Sequence, residues 1–227
     1  MKILALETAT DACSAALWLD GEVEETLRLA PREHAALLLP MVQSLLAGAG
    51  LTLGRLDALA FGRGPGSFTG LRIAAGMAQG LAFGAGLPVV PVSTLAALAQ
   101  GTAREQGVDR VLAALDARMQ EVYWGAYRLQ GAHVVAAAQE IVCPPTAVPP
   151  PPGAGEWAGA GSGWLAWGEA LRAATGASRV FADQRPQARD VASLAATGLA
   201  AGEAVAPEQV RPVYLRDQVA IKPGAGA

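Results

Sequence analysis

Lysine is almost missing from this chain: Lys2 and Lys222 are the only two in 227 residues, and histidine and cysteine occur twice each. A phosphate loop of the G-x-x-x-x-G-K-[ST] type needs a lysine to reach the phosphates, and no glycine-rich stretch between those two positions holds one. That excludes a P-loop. A zinc centre needs three or four His, Cys or carboxylate donors brought together. His34 and His133 fall in different halves of the chain, and His34, near a helix start, reads as a cap or surface residue rather than a ligand. Cys13 and Cys143 sit in apolar surroundings, where a thiol reads as a small buried hydrophobe rather than half of a disulfide.

An excess of positive charge is missing too. Lys and Arg number 17 against 20 Asp and Glu, a formal charge of −3, so nucleic-acid binding by phosphate neutralisation alone is not expected. Any RNA role calls for a partner. Residues 73–103 carry no charge, but Gly84, Gly86, Pro88 and Pro91 divide them into a helix and a short strand, with Gln79 and Gln100 inside. The segment does not read as a membrane span. Glu7 interrupts the apolar residues that follow Lys2, and Asp11 comes next, so no secretory pattern is present and a cytoplasmic chain is expected. With 52% apolar residues, a chain of this length should bury a substantial core as one large or two small domains.

What the chain has in quantity is glycine, concentrated in "FGRGPGSFTGLRIAAGMAQGLAFGAGLP", Phe61 to Pro88. The dinucleotide pattern G-x-G-x-x-G fails, because Gly62 and Gly64 are followed by Ser67, and Gly64 and Gly66 by Thr69. A G-x-S-x-G nucleophile elbow at Ser67 fails at Pro65 and Thr69. Gly62, Gly64, Gly66 and Gly70 permit left-handed turns and leave amides at a helix N-terminus, a candidate anion site without a lysine. Gly76, Gly80 and Gly84 then lie four apart on one face of a helix, beside a face of Ala74, Ala78 and Ala82. Each costs about 0.8–1.0 kcal/mol of helix preference against alanine, about 3 kcal/mol together. Close approach of another backbone can offset that. The neighbour is either intramolecular, a strand or the helix around residues 33–47, or a second subunit. In the latter case Gly76, Gly80, Leu37 and Met41 are the candidate partner-interface residues.

Along the chain, "KILALETA", "CSAALWLDG" and "EVEETLRLA" read as a strand meander with a hairpin turn at Asp20-Gly21. A helix follows, with Pro40 as an interior kink and Leu38, Leu39, Val42, Leu45 and Leu46 as its apolar stripe. Next come a strand into the glycine loop, the glycine helix, the strand "LPVVPV" and a helix from Ser93 to Glu105. A second unit repeats the plan: strands "RVLAALDAR", "EVYWGAYRL", "HVVAAAQEI" and "EWAGAGSGW", then helices near 166–175 and 190–202. This predicts a duplicated α/β architecture divided at 1–106 and 107–227, the last residues packing back on the first domain. Pro144 to Pro152, with six prolines, reads as an extended surface loop.

The segments "ILALETATDACSAALW", "REHAALLLPMV", "GRGPGSFTGLRIAAGMAQGLAFG", "STLAALAQG", "LAALDARMQEVYWGAY" and "PVYLRDQVA" resemble the bacterial TsaB family over nearly the whole chain. The resemblance implies an α/β fold of two ribonuclease-H-like domains, as in actin, the large heat-shock chaperones and sugar kinases. It also implies a non-catalytic subunit of the complex that places threonylcarbamoyl on N6 of adenine 37 of tRNA. The implied partners are a TsaD-like catalytic subunit and a TsaE-like ATPase, with a possible homodimer, and tRNA met only through the complex. The catalytic relative carries a metal-binding HxxxH pair after the glycine helix and next strand; the matching positions here are Thr94 and Leu98, a poor donor set. Glu7 and Ala9 stand where nucleotide-binding relatives place an Asp and a Gly of their first phosphate loop, which hinders phosphate approach. Glu7 and Asp116 read as carboxylates that cap turns or line a degenerate cleft, with Mg²⁺ held through water as the alternative. "GAGSGW" resembles an adenosine-side glycine loop. No catalytic residue, cofactor or metal is expected; a glycoprotease-type metallopeptidase and an actin-like-fold ATPase or kinase are the rivals.

Overall fold

In the computed structural model, which describes residues 1–216, β1 (Lys2–Glu7) is buried from Ile3 onward, as a strand covered on both faces must be. It pairs antiparallel with β2 (Ala12–Leu19), which pairs antiparallel with β3 (Glu22–Leu29). Asp20 at φ 52° and Gly21 at φ 107° give the left-handed pair that this two-residue hairpin needs. α1 (His34–Gly48) leads to β4 (Ala58–Gly64), and α2 (Phe68–Ala85) to β5 (Val89–Ser93). β1, β4 and β5 run parallel, completing a sheet of order β3-β2-β1-β4-β5.

α3 (Thr94–Gln106) follows directly, then β6 (Arg110–Asp116), β7 (Val122–Gln130), β8 (His133–Ala136) and β9 (Ile141–Cys143). β10 (Ala158–Ala160), α4 (Ser162–Thr175), β11 (Val180–Phe181) and α5 (Ala188–Ala200) complete the second unit. Its sheet has the order β11-β10-β6-β7-β8, with β9 on β7 as well. Each half thus joins an antiparallel meander to parallel strands, the plan of two ribonuclease-H-like domains. No helix among the described residues is long and apolar enough to cross a membrane.

Packing crosses residue 107 in both directions. α1 and α2 cover one face of the first sheet through Leu38, Val42, Leu45, Ala74, Ala78 and Ala82. The other face is covered by α5, whose Ala188, Val191, Ala192 and Ala195 meet Ile3, Ala5, Ala58 and Ala60. α3 belongs to the second sheet, where Leu95, Leu98 and Ala99 meet Val111, Ala113 and Tyr127. α4 closes that sheet's far face around Trp124, Trp157 and Trp164. The two exchanged helices are tied by Arg104, which donates to both carboxylate oxygens of buried Asp190 at 3.0 Å.

Several local expectations change. Leu39 is 39% exposed and leaves the apolar stripe of α1. "HVVAAAQEI" divides into β8 and β9, and α4 begins at Ser162, leaving β10 only three residues. The proline-rich segment is not wholly a surface loop, since Pro145 and Val148 are buried, Val148 against the tryptophan cluster. The glycines of "GAGSGW" serve close packing: a Cβ on Gly159 would lie 2.4 Å from the Trp164 ring, and one on Gly161 or Gly163 within 3 Å of Ala114.

Candidate functional site: the filled cleft and the open face of α2

The parallel strands β1 and β4 end side by side, so the turn after β1 meets the glycine loop after β4. Glu7 is fully buried there. Its carboxylate accepts from the Ala9 amide at 2.6 Å and from the Thr94 hydroxyl at 3.3 Å, while Thr94 Oγ1 accepts from the Gly64 amide at 3.2 Å. A Cβ on Gly62 would fall 1.9 Å from Glu7 Oε2, so glycine is required under this carboxyl. Burial pushes the Glu7 pKa up to about 7, against the opposing pull of its hydrogen bonds.

Gly66 and Gly70 have the same explanation. A Cβ on Gly66 would lie 2.7 Å from the Ala9 carbonyl oxygen, and one on Gly70 1.9 Å from that of Thr8. The Ser67 amide donates to Ala9 O at 2.8 Å, and the Thr8 hydroxyl donates to Gly70 O at 2.7 Å. The Ser67 side chain caps the helix by accepting from the Gly70 amide at 3.3 Å. The Thr8–Ala9 turn therefore packs against the helix start expected as a candidate anion site, while Ser67, Phe68 and Thr69 remain exposed.

Leu98 is fully buried in the core under α3, so of the Thr94–Leu98 pair one side chain serves Glu7 and the other packing. Asp116 accepts from the amide and guanidinium of Arg118 at 3.1 and 3.0 Å, and Glu7 is engaged separately. Among the described residues no three His, Cys, Asp or Glu side chains are gathered as metal ligands. His34 is neither cap nor surface residue: it is 7% exposed, with Nε2 3.2 Å from the carbonyl of Ala12. His133 lies 3.1 Å from Ser193 Oγ and 3.2 Å from Thr197 Oγ1, joining β8 to α5. Cys13 is buried 3.9 Å from the Met41 sulfur, and burial pushes its thiol up to about 11. A cluster that the sequence did not reveal sits beside these groups: Glu140 accepts from Ser93 and from the phenol of Tyr127. Burial and that carboxylate hold the Tyr127 hydroxyl well above its ordinary pKa.

On the outer side of α2 the packing is reversed. Among the described residues nothing lies within 4 Å of a Cβ built on Gly76, Gly80 or Gly84, whereas Ala74, Ala78 and Ala82 are buried. The glycine row serves no intramolecular neighbour among the described residues. Phe68 and Arg72 continue it at four-residue spacing, both exposed, with the Arg72 guanidinium 3.4 Å from the Phe68 ring centroid and the Tyr214 ring, tilted by 38°, 5.5 Å from that of Phe68. Phe83 is 69% exposed beside Gly80, a feature legible only once the helix face was known. On α1, Leu37 is half-buried at the rim. Met41 must be removed from the candidate surface: it is 6% exposed and packs in the core. The segment leading to residue 216 ties the two lobes, the Val213 amide donating to Arg63 O at 2.7 Å and Arg216 donating to Ala117 O at 3.1 Å and pairing with Glu121.

Fold and site together define a two-domain ribonuclease-H-like protein whose glycine loop after β4 is packed against the turn after β1. A family model described as "TsaD: tRNA N6-adenosine threonylcarbamoyltransferase" matches residues 28–164. The Escherichia coli (strain K12) "tRNA threonylcarbamoyladenosine biosynthesis protein TsaB" is 47% identical over 225 residues, covering 98% of this chain and 97% of that one. The Haemophilus influenzae protein of the same name is 55% identical over 124 residues, 55% of this chain and 52% of that one. The solved structure "YeaZ from Pseudomonas aeruginosa" superposes with a TM-score of 0.90 at 50% identity, covering 94% of this chain and 99% of that one. A second structure with the same score and identity, covering 95% and 99%, is described as an uncharacterized protein from that organism with similarity to peptidase YeaZ. The chain belongs to the TsaB family.

Proposed function

We propose that this chain is a non-catalytic scaffold subunit in tRNA threonylcarbamoyladenosine synthesis, holding and activating a TsaD-like transferase, with a TsaE-like ATPase as third component. The reaction served is transfer of threonylcarbamoyl to N6 of adenine 37 in tRNAs that read codons starting with A. The observation that carries this reading is the filled cleft: Glu7 sits on Gly62, and Thr8 and Ala9 sit on Gly70 and Gly66, where a nucleotide phosphate would need bare backbone. A subunit with its own cleft so packed contributes surface.

The open row of α2 supports a partner there, because small residues let another helix approach closely. Gly76, Gly80 and Leu37 are the proposed contacts. The same face suits a second copy of the chain when the transferase is absent. The peptidase reading suggested by one relative's description finds no donor set in Thr94 and Leu98, and elemental analysis separates it: one zinc or iron per chain, lost with activity on chelation, favours the peptidase. Calorimetry with ATP separates the kinase-like reading, which requires micromolar affinity sensitive to Glu7→Ala. The deciding experiment mixes the purified chain with its TsaD-like and TsaE-like partners. Co-elution with the transferase, and tRNA modification that depends on adding the chain, are expected. A chain that elutes alone and leaves modification unchanged overturns the proposal.

A further inference from the structure

At the end of the second sheet opposite the cleft, Arg110 on β6 and Arg128 on β7 are direct register partners. Like charges facing each other across a ladder repel, and neither forms an ion pair with a carboxylate among the described residues. Both draw the proline-rich loop onto themselves instead: Arg110 donates to Ala154 O at 2.7 Å, and Arg128 donates to Pro152 O. The loop is moulded to them, since a Cβ on Gly155 would lie 1.4 Å from an Arg110 nitrogen and one on Gly153 2.9 Å from an Arg128 nitrogen. Arg179 lines the same hollow as Arg110, and Arg172 holds Ala177 and Ser178 in the wall of its neighbour; among the described residues they too donate only to carbonyls, Arg172 to those of Ala177 and Ser178 and Arg179 to that of Gln106. Each guanidinium has five N–H groups, so donors are in surplus. Arg128 Nε and the indole nitrogen of Trp157, a residue only 5% exposed, are buried without an acceptor. Two adjoining hollows of about 520 and 360 Å³ lie here, with Arg110 and Arg179 as the basic and Glu156 and Asp109 as the acidic lining residues, while Arg128 and Arg172 hold carbonyls of the adjacent backbone.

We infer that this end of the second domain is a contact surface for the phosphate backbone of RNA, engaged when the chain is part of its complex; that the RNA is tRNA rests on the function proposed above. Phosphate oxygens are the acceptors that such a donor surplus fits. Two of the guanidiniums lie over aromatic rings, Arg128 over Trp157 at 5.5 Å and Arg179 over Phe181 at 5.3 Å, which holds the groups in place. An acidic protein segment fits less well. Protein interfaces centre on exposed apolar anchors, and none of the exposed large apolar side chains lines either hollow. The proline-rich loop acquires a role in this surface: it fixes two arginines that would otherwise repel and splay.

The test titrates the reconstituted complex with tRNA across a salt series, comparing the wild type with Arg172→Gln/Arg179→Gln, which leaves Arg110 and Arg128 to hold the loop. The variant should raise Kd about tenfold at low ionic strength and reduce the salt slope by about 2, with co-elution with the transferase unchanged. Arg172→Lys/Arg179→Lys should retain most of the affinity, because charge suffices for a phosphate. An unchanged Kd and slope overturn the inference. Lost co-elution with unchanged RNA affinity assigns the surface to a protein partner and overturns it equally. If the wild-type chain does not join the transferase, the functional reading falls; the surface is then judged on the chain alone with tRNA at low ionic strength, where no difference between wild type and variant overturns it.

Discussion

Glu7 is held as a carboxyl with a raised pKa in a place where no described residue supplies a cation. Below pH 4.5 it is protonated in both the folded and the unfolded chain. Between 4.5 and about 7 the unfolded chain ionises first, so folding stability falls as pH rises, and above about 7 the loss is complete. A shift of that size corresponds to about 3 kcal/mol. Glu7→Gln removes the penalty, so the melting temperature of the variant should gain on the wild type by several degrees between pH 5 and 8. A difference that stays flat over that range refutes the assignment. Two glycines of α2 give a second test with opposite signs. Gly70→Ala drives a Cβ to 1.9 Å from a backbone oxygen and should destabilise by about 3 kcal/mol, whereas Gly80→Ala meets nothing and should stabilise by about 1 kcal/mol. Denaturant melts of the two variants settle both.

For α2 as an element, the inner and outer faces answer different demands. The inner alanines fit the sheet, and the outer glycines reduce helix preference with no neighbour among the described residues to profit from the space. Gly80→Leu should therefore keep a cooperative melt with a midpoint equal to or slightly above that of the wild type, yet lose co-elution with the TsaD-like partner and support of tRNA modification. Normal assembly of that variant places the partner elsewhere. On α1, Met41→Glu is the wrong probe, because a charge in the core unfolds the chain instead of separating subunits. Leu37, half-buried at the rim, is the better one. Helical periodicity alone made α1 and α2 legible, since apolar residues at spacing three and four mark a buried face. It could not separate Leu39 from Leu38, because both fit a stripe one residue wider than the contact. The carboxyl over Gly62 was illegible for a different reason: a glycine required by a side chain 55 positions away in sequence looks like a turn glycine.

For the molecule as a whole, the meander-then-helix order of each half was readable, because strand alternation and turn residues are local signals. Which helix covers which sheet was not, because α3 and α5 are both apolar enough to suit either. Their exchange means that neither half carries its complete core. Residues 1–106 alone would leave one face of the first sheet bare and expose Leu95 and Leu98 of α3. That fragment should show no cooperative thermal transition and should bind a hydrophobic dye, while the full chain melts in one step; an independently folding fragment contradicts the exchange. During synthesis, at about 5–20 residues per second, α5 is made about 5–20 seconds after α3. For that interval the newborn first sheet lacks one of its covers, and the ribosome-bound chain is a substrate for chaperones in a way the finished protein never is.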